Sequence, residues 1–164
     1  MIAMRWSRTE DSTRLSRIHR DAWRFAYVGV IPGLALERMI ASRGEAAWQR
    51  LHGRGGKVLA VEFEGSVAGY AMTGPSRNRR FHAEGEIYEL YLDPVYHGAG
   101  LGRRLFAEAR RRLTRRRLKG LLVWSLTGNE MGCRFYRSLG GRPAAKDRLK
   151  IGGITLDRIA FAWA

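Results

Sequence analysis

Hydrophobic positions step along this chain in two different periods. After Asp11-Ser12-Thr13, the residues Leu15, Ile18, Ala22 and Phe25 recur at helical spacing. That predicts an amphipathic helix, stopping around Tyr27-Val28-Gly29 and before Ile31-Pro32-Gly33. Residues 34–51 read as further helix, broken by Gly53-Arg54-Gly55-Gly56. The period then shortens: 57–64 and 66–73 read as two strands about a turn at Gly65. A polar loop covers 74–80, and residues 86–92, Glu-Ile-Tyr-Glu-Leu-Tyr-Leu, read as a third strand ended by Asp93-Pro94. Leu101, Leu105, Ala109 and Leu113 step by four, with Phe106 alongside, and mark a strong helix closed by Gly120. Residues 121–126 read as a buried strand, 129–139 as a short helix closed by Gly140-Gly141, and 148–163 as a hairpin turning at Gly152-Gly153.

This order is helices, antiparallel strands, then β-α-β-α-β-β. It predicts an α/β (α+β) fold with a mixed, mostly antiparallel sheet flanked by helices. With no linker or internal repeat, residues 1–164 are expected to form a single domain. No apolar run approaches the roughly 20 residues that cross a bilayer. The first residues lack the apolar segment of a secretion signal. A cytoplasmic protein without a membrane partner is the expectation.

Charge changes the picture most. Thirty Lys and Arg against fifteen Asp and Glu give +15, with an isoelectric point near 11.2. Such a field attracts anions, among them nucleic acids and phosphorylated cofactors. The lone Cys133 excludes a disulfide framework and a multi-cysteine zinc site. His19, His52, His82 and His97 form no pair at helical i, i+4 spacing, so no metal is expected.

The segment richest in chemistry is His97-Gly98-Ala99-Gly100-Leu101-Gly102-Arg103, between a strand and a helix. Glycines allow close backbone approach to a ligand, and the first-turn N–H groups and the helix dipole favour an anion there. Together these make a diphosphate site; a tight strand-to-helix connection accounts for the glycines equally simply. A P-loop would need Gly-x4-Gly-Lys-Ser/Thr, which is missing. A Rossmann fingerprint would need Gly-x-Gly-x-x-Gly and an acid about 20 residues on. Here the spacing is Gly98-x-Gly100-x-Gly102, followed downstream by Arg115-Arg116-Arg117-Leu118-Lys119. That spacing speaks against an NADP-linked reductase.

Taken with Leu90-Tyr91-Leu92-Asp93-Pro94 before it, the turn resembles the GCN5-related N-acetyltransferase (GNAT) superfamily signature, Arg/Gln-x-x-Gly-x-Gly/Ala, between a strand and a helix. Asn129 and Phe135-Tyr136-Arg137-Ser138-Leu139-Gly140-Gly141 are similar to the family's Asn…Phe-Tyr-x-x-x-Gly-Phe segment. Trp23, Tyr27 and Pro32 resemble its first helix and substrate-side loop. His97 departs from the usual Arg or Gln, and Gly141 from the usual Phe.

The resemblance implies a GNAT-like fold and transfer of acetyl from acetyl-CoA to a primary amine within a ternary complex. The strand edge at Leu90, Tyr91 and Leu92 would pair with pantetheine, and an N–H near Leu92 would face the thioester carbonyl. His97, Gly98, Ala99, Gly100, Leu101, Gly102 and Arg103 would hold the diphosphate, and Asn129 would meet the pantetheine. Asn129 also reads as a helix cap, and Tyr136, the family's general acid, as a packed aromatic. The amine must lose its proton before attack, since a lysine-type amine has a pKa of about 10.4. Glu86 and Glu89 lie three apart on one strand, hence on opposite faces; Glu89 is the preferred base, acting through water. A salt-bridged Glu89 is the plain alternative. The acceptor, a small molecule or a protein, is not legible, and a homodimer is left open. Trp23, Phe25 and Tyr27 line an acceptor cleft or fill the core.

One stripe stays unassigned: Arg103, Arg104, Arg110, Arg111, Arg112, Arg115, Arg116, Arg117 and Lys119, with only Glu108 among them. It reads as a solvated helix face, as attraction for the 3′-phosphate of CoA, or as a surface docking RNA or a ribosome. The rival function is a basic nucleic-acid-binding module that keeps the fold without catalysis.

Overall fold

The computed structural model describes residues 1–78, 80–151 and 153–164. Seven strands hydrogen-bond in the order β1-β2-β3-β4-β5-β7-β6, where β1 is Ile2–Trp6, β2 Leu59–Phe63, β3 Ser66–Pro75, β4 Gly85–Leu92, β5 Leu121–Leu126, β6 Arg142–Ile151 and β7 Ile154–Trp163. The helices are α1 (Ser12–Tyr27), α2 (Gly33–Ala41), α3 (Glu45–Gly53), α4 (Leu101–Arg115) and α5 (Glu130–Ser138). The sheet is mixed: β4 and β5 are parallel, whereas β1/β2, β2/β3, β5/β7 and β6/β7 are antiparallel. This is the expected α/β class.

The chain divides into two compact units, residues 1–72 with 89–109, and residues 73–88 with 110–164. In the first, α1 packs against α2 and α3. Its periodic face buries Leu15 and Ile18 with Trp48, Val58, Ala60, Val67 and Tyr70. Burying each such aliphatic side chain contributes about 1.5–3 kcal/mol. Gly69 on β3 is required by close approach: a Cβ there would lie 2.4 Å from Leu92 Cδ2 and 2.7 Å from the Tyr91 carbonyl oxygen. In the second unit, β5 is buried at five of its six positions and pairs along its whole length with β7. The β4–β5 ladder spans only Gly85–Leu121 and Glu86–Leu122.

Three expectations need correction. Residues 2–6 form a strand that the sequence reading missed, because a five-residue segment with burial pattern partial-exposed-partial-partial-exposed carries no clean alternation. The helix expected over 34–51 is two helices, broken at Ser42, Arg43 and Gly44. The final hairpin begins at Arg142 rather than near 148, since exposed β6 has no buried stripe to announce it. Of its expected turn, Gly152 lies outside the described residues, as does Arg79 of the expected loop.

Candidate active site

The first unit holds the glycine turn. β4 ends at Leu92, and Asp93 opens a short 3-10 turn over Pro94–Tyr96. Asp93 Oδ1 accepts from the Val95 N–H at 3.1 Å, and Oδ2 accepts from Arg14 Nη2 at 2.8 Å. Arg14, on α1, also donates from Nε to the Val67 carbonyl at 2.9 Å. One arginine thus ties the strand exit to α1 and β3. His97 follows, its ring edge-on to Phe25 at 5.0 Å between centroids; burial lowers its pKa.

Gly98 and Gly100 have φ of 82° and 79°. A Cβ at either would meet nothing within 4 Å. Glycine is therefore needed for the left-handed backbone, which costs other residues about 1–2 kcal/mol, and not to relieve crowding from the protein. The first bond of α4 from this loop is Arg104 N–H to the Gly100 carbonyl. Among the described residues, the N–H groups of Leu101, Gly102 and Arg103, which precede it, have no backbone partner one helical turn back. The side chains of Arg103 and Arg104 are exposed.

Glu89 lies in the same unit. Arg43 donates to it twice, from Nη1 to Oε2 at 2.9 Å and from Nη2 to Oε1 at 3.2 Å. The Tyr70 hydroxyl donates to Oε1 at 2.9 Å. Glu89 and Arg43 keep 19% and 28% of their side chains exposed, so the pair is open to solvent on one side. Around it, Arg43 stacks over Trp48 at 4.9 Å and Trp48 meets Tyr70 edge-on at 5.0 Å. The Tyr27 and Tyr91 hydroxyls are 2.6 Å apart. Burial, and then the neighbouring Glu89, push the Tyr70 phenol well above its ordinary pKa; burial and Tyr27 do the same to Tyr91. Both stay protonated, and Tyr70 donates. His19 stacks on Trp23 at 4.8 Å with neither ring nitrogen hydrogen-bonded. Burial, then Arg43, lower its pKa to about 3, so it is neutral.

Arg14, Arg43 and Tyr70 escaped the sequence reading. No local motif marks them, because their carboxylate partners lie 79, 46 and 19 residues away. Trp23 and Tyr27 belong to this cluster, whereas Phe25 is 57% exposed and packs on His97.

The second unit holds the other named residues. Glu86 is 1% exposed, and both its oxygens are taken by Arg77, from the backbone N–H at 3.0 Å and from Nη2 at 2.7 Å. It lacks the solvent exposure of Glu89. Asn129 caps α5, its Oδ1 accepting from the Gly132 N–H at 3.0 Å. Tyr136 is buried against Phe135, Phe161 and Trp163, with centroids 5.3–6.1 Å away. Cys133 is buried beside Ser125. Among the described residues, no group of three His, Cys, Asp or Glu is placed to hold a metal ion, and no helix is long and apolar enough to cross a membrane.

A mixed sheet thus carries a glycine turn at the N-terminus of α4 and a semi-exposed carboxylate on the strand before it. The model of the Acetyltransferase (GNAT) family matches residues 15–140, and the chain belongs to that family. It is 28% identical, over 99% of its length and 93% of the other protein, to an uncharacterized N-acetyltransferase, YuaI, of Bacillus subtilis. Its fold is similar to that of PaiA N-acetyltransferase from Thermoplasma acidophilum, solved in complex with coenzyme A (TM-score 0.75, 18% identity, 96% of this chain and 98% of that one). It is likewise similar to YncA from Salmonella typhimurium, solved with acetyl-CoA (TM-score 0.69, 22% identity, 99% and 93%).

Proposed function

We propose that this acetyltransferase takes its acetyl group from acetyl-CoA and passes it to a primary amine by direct attack in a ternary complex. The observation that carries the reading is the turn at 97–103. Two left-handed glycines present the first-turn N–H groups of Leu101, Gly102 and Arg103 at a helix N-terminus, an arrangement suited to a diphosphate. His97 and Ala99 complete the loop. The backbone of Leu90, Tyr91 and Leu92, beyond the two-residue β4–β5 ladder, would hold the pantetheine. The structures solved with CoA and acetyl-CoA support the same cofactor.

The amine must be neutral to attack, and Glu89 is the proposed base. A carboxylate has about four lone-pair sites; Oε1 accepts two hydrogen bonds and Oε2 one. A site remains for a water that relays the proton. The bond that forms is nitrogen to the acyl carbon, and the bond that breaks is carbon to sulfur. An N–H near Leu92 would steady the oxyanion between these steps. The departing thiolate needs a proton, for which Tyr136 is the proposed donor, and Asn129 the proposed pantetheine contact beyond its capping role. These two assignments rest on the family resemblance.

Calorimetric titration of acetyl-CoA tests the reading, with Gly100→Glu alongside. The native protein is expected to bind. The variant, folded by circular dichroism, should lose at least a hundredfold in affinity, because it adds a negative charge and a side chain where φ is 79°. A folded native protein that takes up no acetyl-CoA would overturn it.

A further inference from the structure

We propose that the second unit is a docking surface for single-stranded RNA, centred on the end of α4 and the turn after it. The proposal does not depend on the acetyl-transfer reading, which the cofactor titration tests separately.

Charge is divided unevenly along the chain. Residues 73–88 and 110–164 hold seventeen Lys and Arg against five Asp and Glu, a net +12. Residues 1–72 and 89–109 hold thirteen against ten, a net +3. The excess is densest from Arg110 to Lys119, where seven cations occur with no acid. Arg111, Arg115, Arg116, Arg117 and Lys119 are exposed. Among the described residues, the side chains of Arg115, Arg116, Arg117 and Lys119 enter no salt bridge.

Helix stability does not account for this run. A cation in a last turn is favoured modestly by the dipole, a gain that one or two arginines would supply. Arg111/Arg115 and Arg112/Arg116 stand at i, i+4, where like charges repel and weaken a helix. Arg117 adds a left-handed backbone, φ 59°, where glycine or asparagine would sit more cheaply. The arrangement costs the fold and presents cations to solvent.

The neighbourhood favours nucleic acid over a lipid surface. Lipid docking needs apolar side chains beside the basic ones, and Met131 is the one exposed large hydrophobic recorded in this unit among the described residues. Planar groups are present instead. Arg77 stacks on Tyr88 at 4.3 Å, and Arg116 is near enough to Tyr88 to influence its ionisation. Arg158 stacks on Trp124 at 4.0 Å, with Phe81 at 6.0 Å. The loop carrying Phe81 is seated on the basic turn: Glu84 N–H donates to the Lys119 carbonyl at 2.7 Å, and Lys119 N–H to Glu84 Oε1 at 2.8 Å. Half-buried aromatics beside arginines suit unstacked bases, which single strands offer and duplexes withhold. Single strands are the common state of RNA loops, so RNA is the occupant.

The test is fluorescence anisotropy of a labelled 12-nucleotide single-stranded RNA of mixed sequence with the full chain, from 50 to 200 mM KCl. If about four phosphates are neutralised, a slope near −0.7 per phosphate predicts a roughly fiftyfold loss of affinity over that range. R115Q/R116Q/R117Q should weaken binding at least tenfold at 50 mM KCl and reduce the slope by about 2. R8Q/R17Q/R54Q removes the same charge from exposed sites of the first unit and should change affinity less than threefold. Thermal melts confirm folding, and R116Q alone, expected to cost about threefold, serves if the triple variant unfolds. Three results would each overturn the proposal: no binding at 50 mM KCl, equal losses from the two triple variants, or equal or tighter binding to a DNA duplex or to phosphatidylserine vesicles.

Discussion

In the first unit, many acids are held by arginines. Arg5 holds Asp11 and Glu62, Arg14 holds Asp93, Arg24 holds Glu37, and Arg43 holds Glu89. In the second unit, pairs such as Arg158–Asp147 and Arg77–Glu86 stand among a large surplus of cations. The same residue type therefore does two kinds of work. A semi-buried guanidinium with a carboxylate to itself is a positioning device: Arg14 fixes where the glycine turn begins, and Arg43 fixes where Glu89 points. An exposed arginine without a carboxylate positions nothing inside the fold and contributes to a field, whose consequence is outside the molecule. Net charge alone, +15, conceals this division.

The comparison is broken or sharpened most strongly by catalysis. Glu89→Gln should lower kcat by about 10²–10³-fold while leaving acetyl-CoA affinity within threefold. Tyr136→Phe, in the second unit, should lower kcat about tenfold or more. Steady-state rates and acetyl-CoA titrations on an amine panel check both. If Glu89→Gln leaves kcat unchanged, the Arg43–Glu89 pair is structural and the distinction between positioning and field charges loses its catalytic side.

A smaller effect concerns stability and pH. His19 is buried and its pKa is lowered to about 3. Between about pH 6.5 and 3 the unfolded chain binds a proton that the folded one does not, so stability falls as pH falls through that window. The slope from this group approaches about 1.4 kcal/mol per pH unit. His19→Phe keeps a ring beside Trp23 and should flatten the melting temperature between pH 6.5 and 4. A variant with the native slope would refute the assignment to His19.

The smallest effect is expected from Arg148–Asp157, a 3.4 Å pair on the β6–β7 hairpin with side chains 78% and 72% exposed. Arg148→Gln should change stability by less than about 0.5 kcal/mol, read by urea unfolding. A loss above about 1 kcal/mol would show that second-unit pairs hold the fold as first-unit pairs do.

The legible parts of the molecule were those written in consecutive residues. The strand, Asp93-Pro94, the glycine turn and the stepping leucines of α4 follow one another within about 25 residues, so both cradle and helix could be read from period and turn chemistry. Choosing Glu89 over Glu86 also began in the sequence, from their opposite parity. What separated them was burial and partners: Arg77 closes off Glu86, while Glu89 keeps an open side. β1 and the α2–α3 break were illegible because a short half-buried strand and a turn at Ser42-Arg43-Gly44 have no strong local signal.

By itself, the sequence determined the α/β class, the glycine turn that α4 opens from, the family resemblance and the total charge. Each depends on short-range periodicity, backbone preference or simple counting. Only the tertiary structure decided that Arg43, 46 residues from Glu89, would hold it, that Arg14 would clamp Asp93 from 79 residues away, and that, among the described residues, Arg115, Arg116 and Arg117 would enter no salt bridge. Those outcomes depend on which distant side chains the sheet brings within hydrogen-bond reach, and no local pattern encodes that reach.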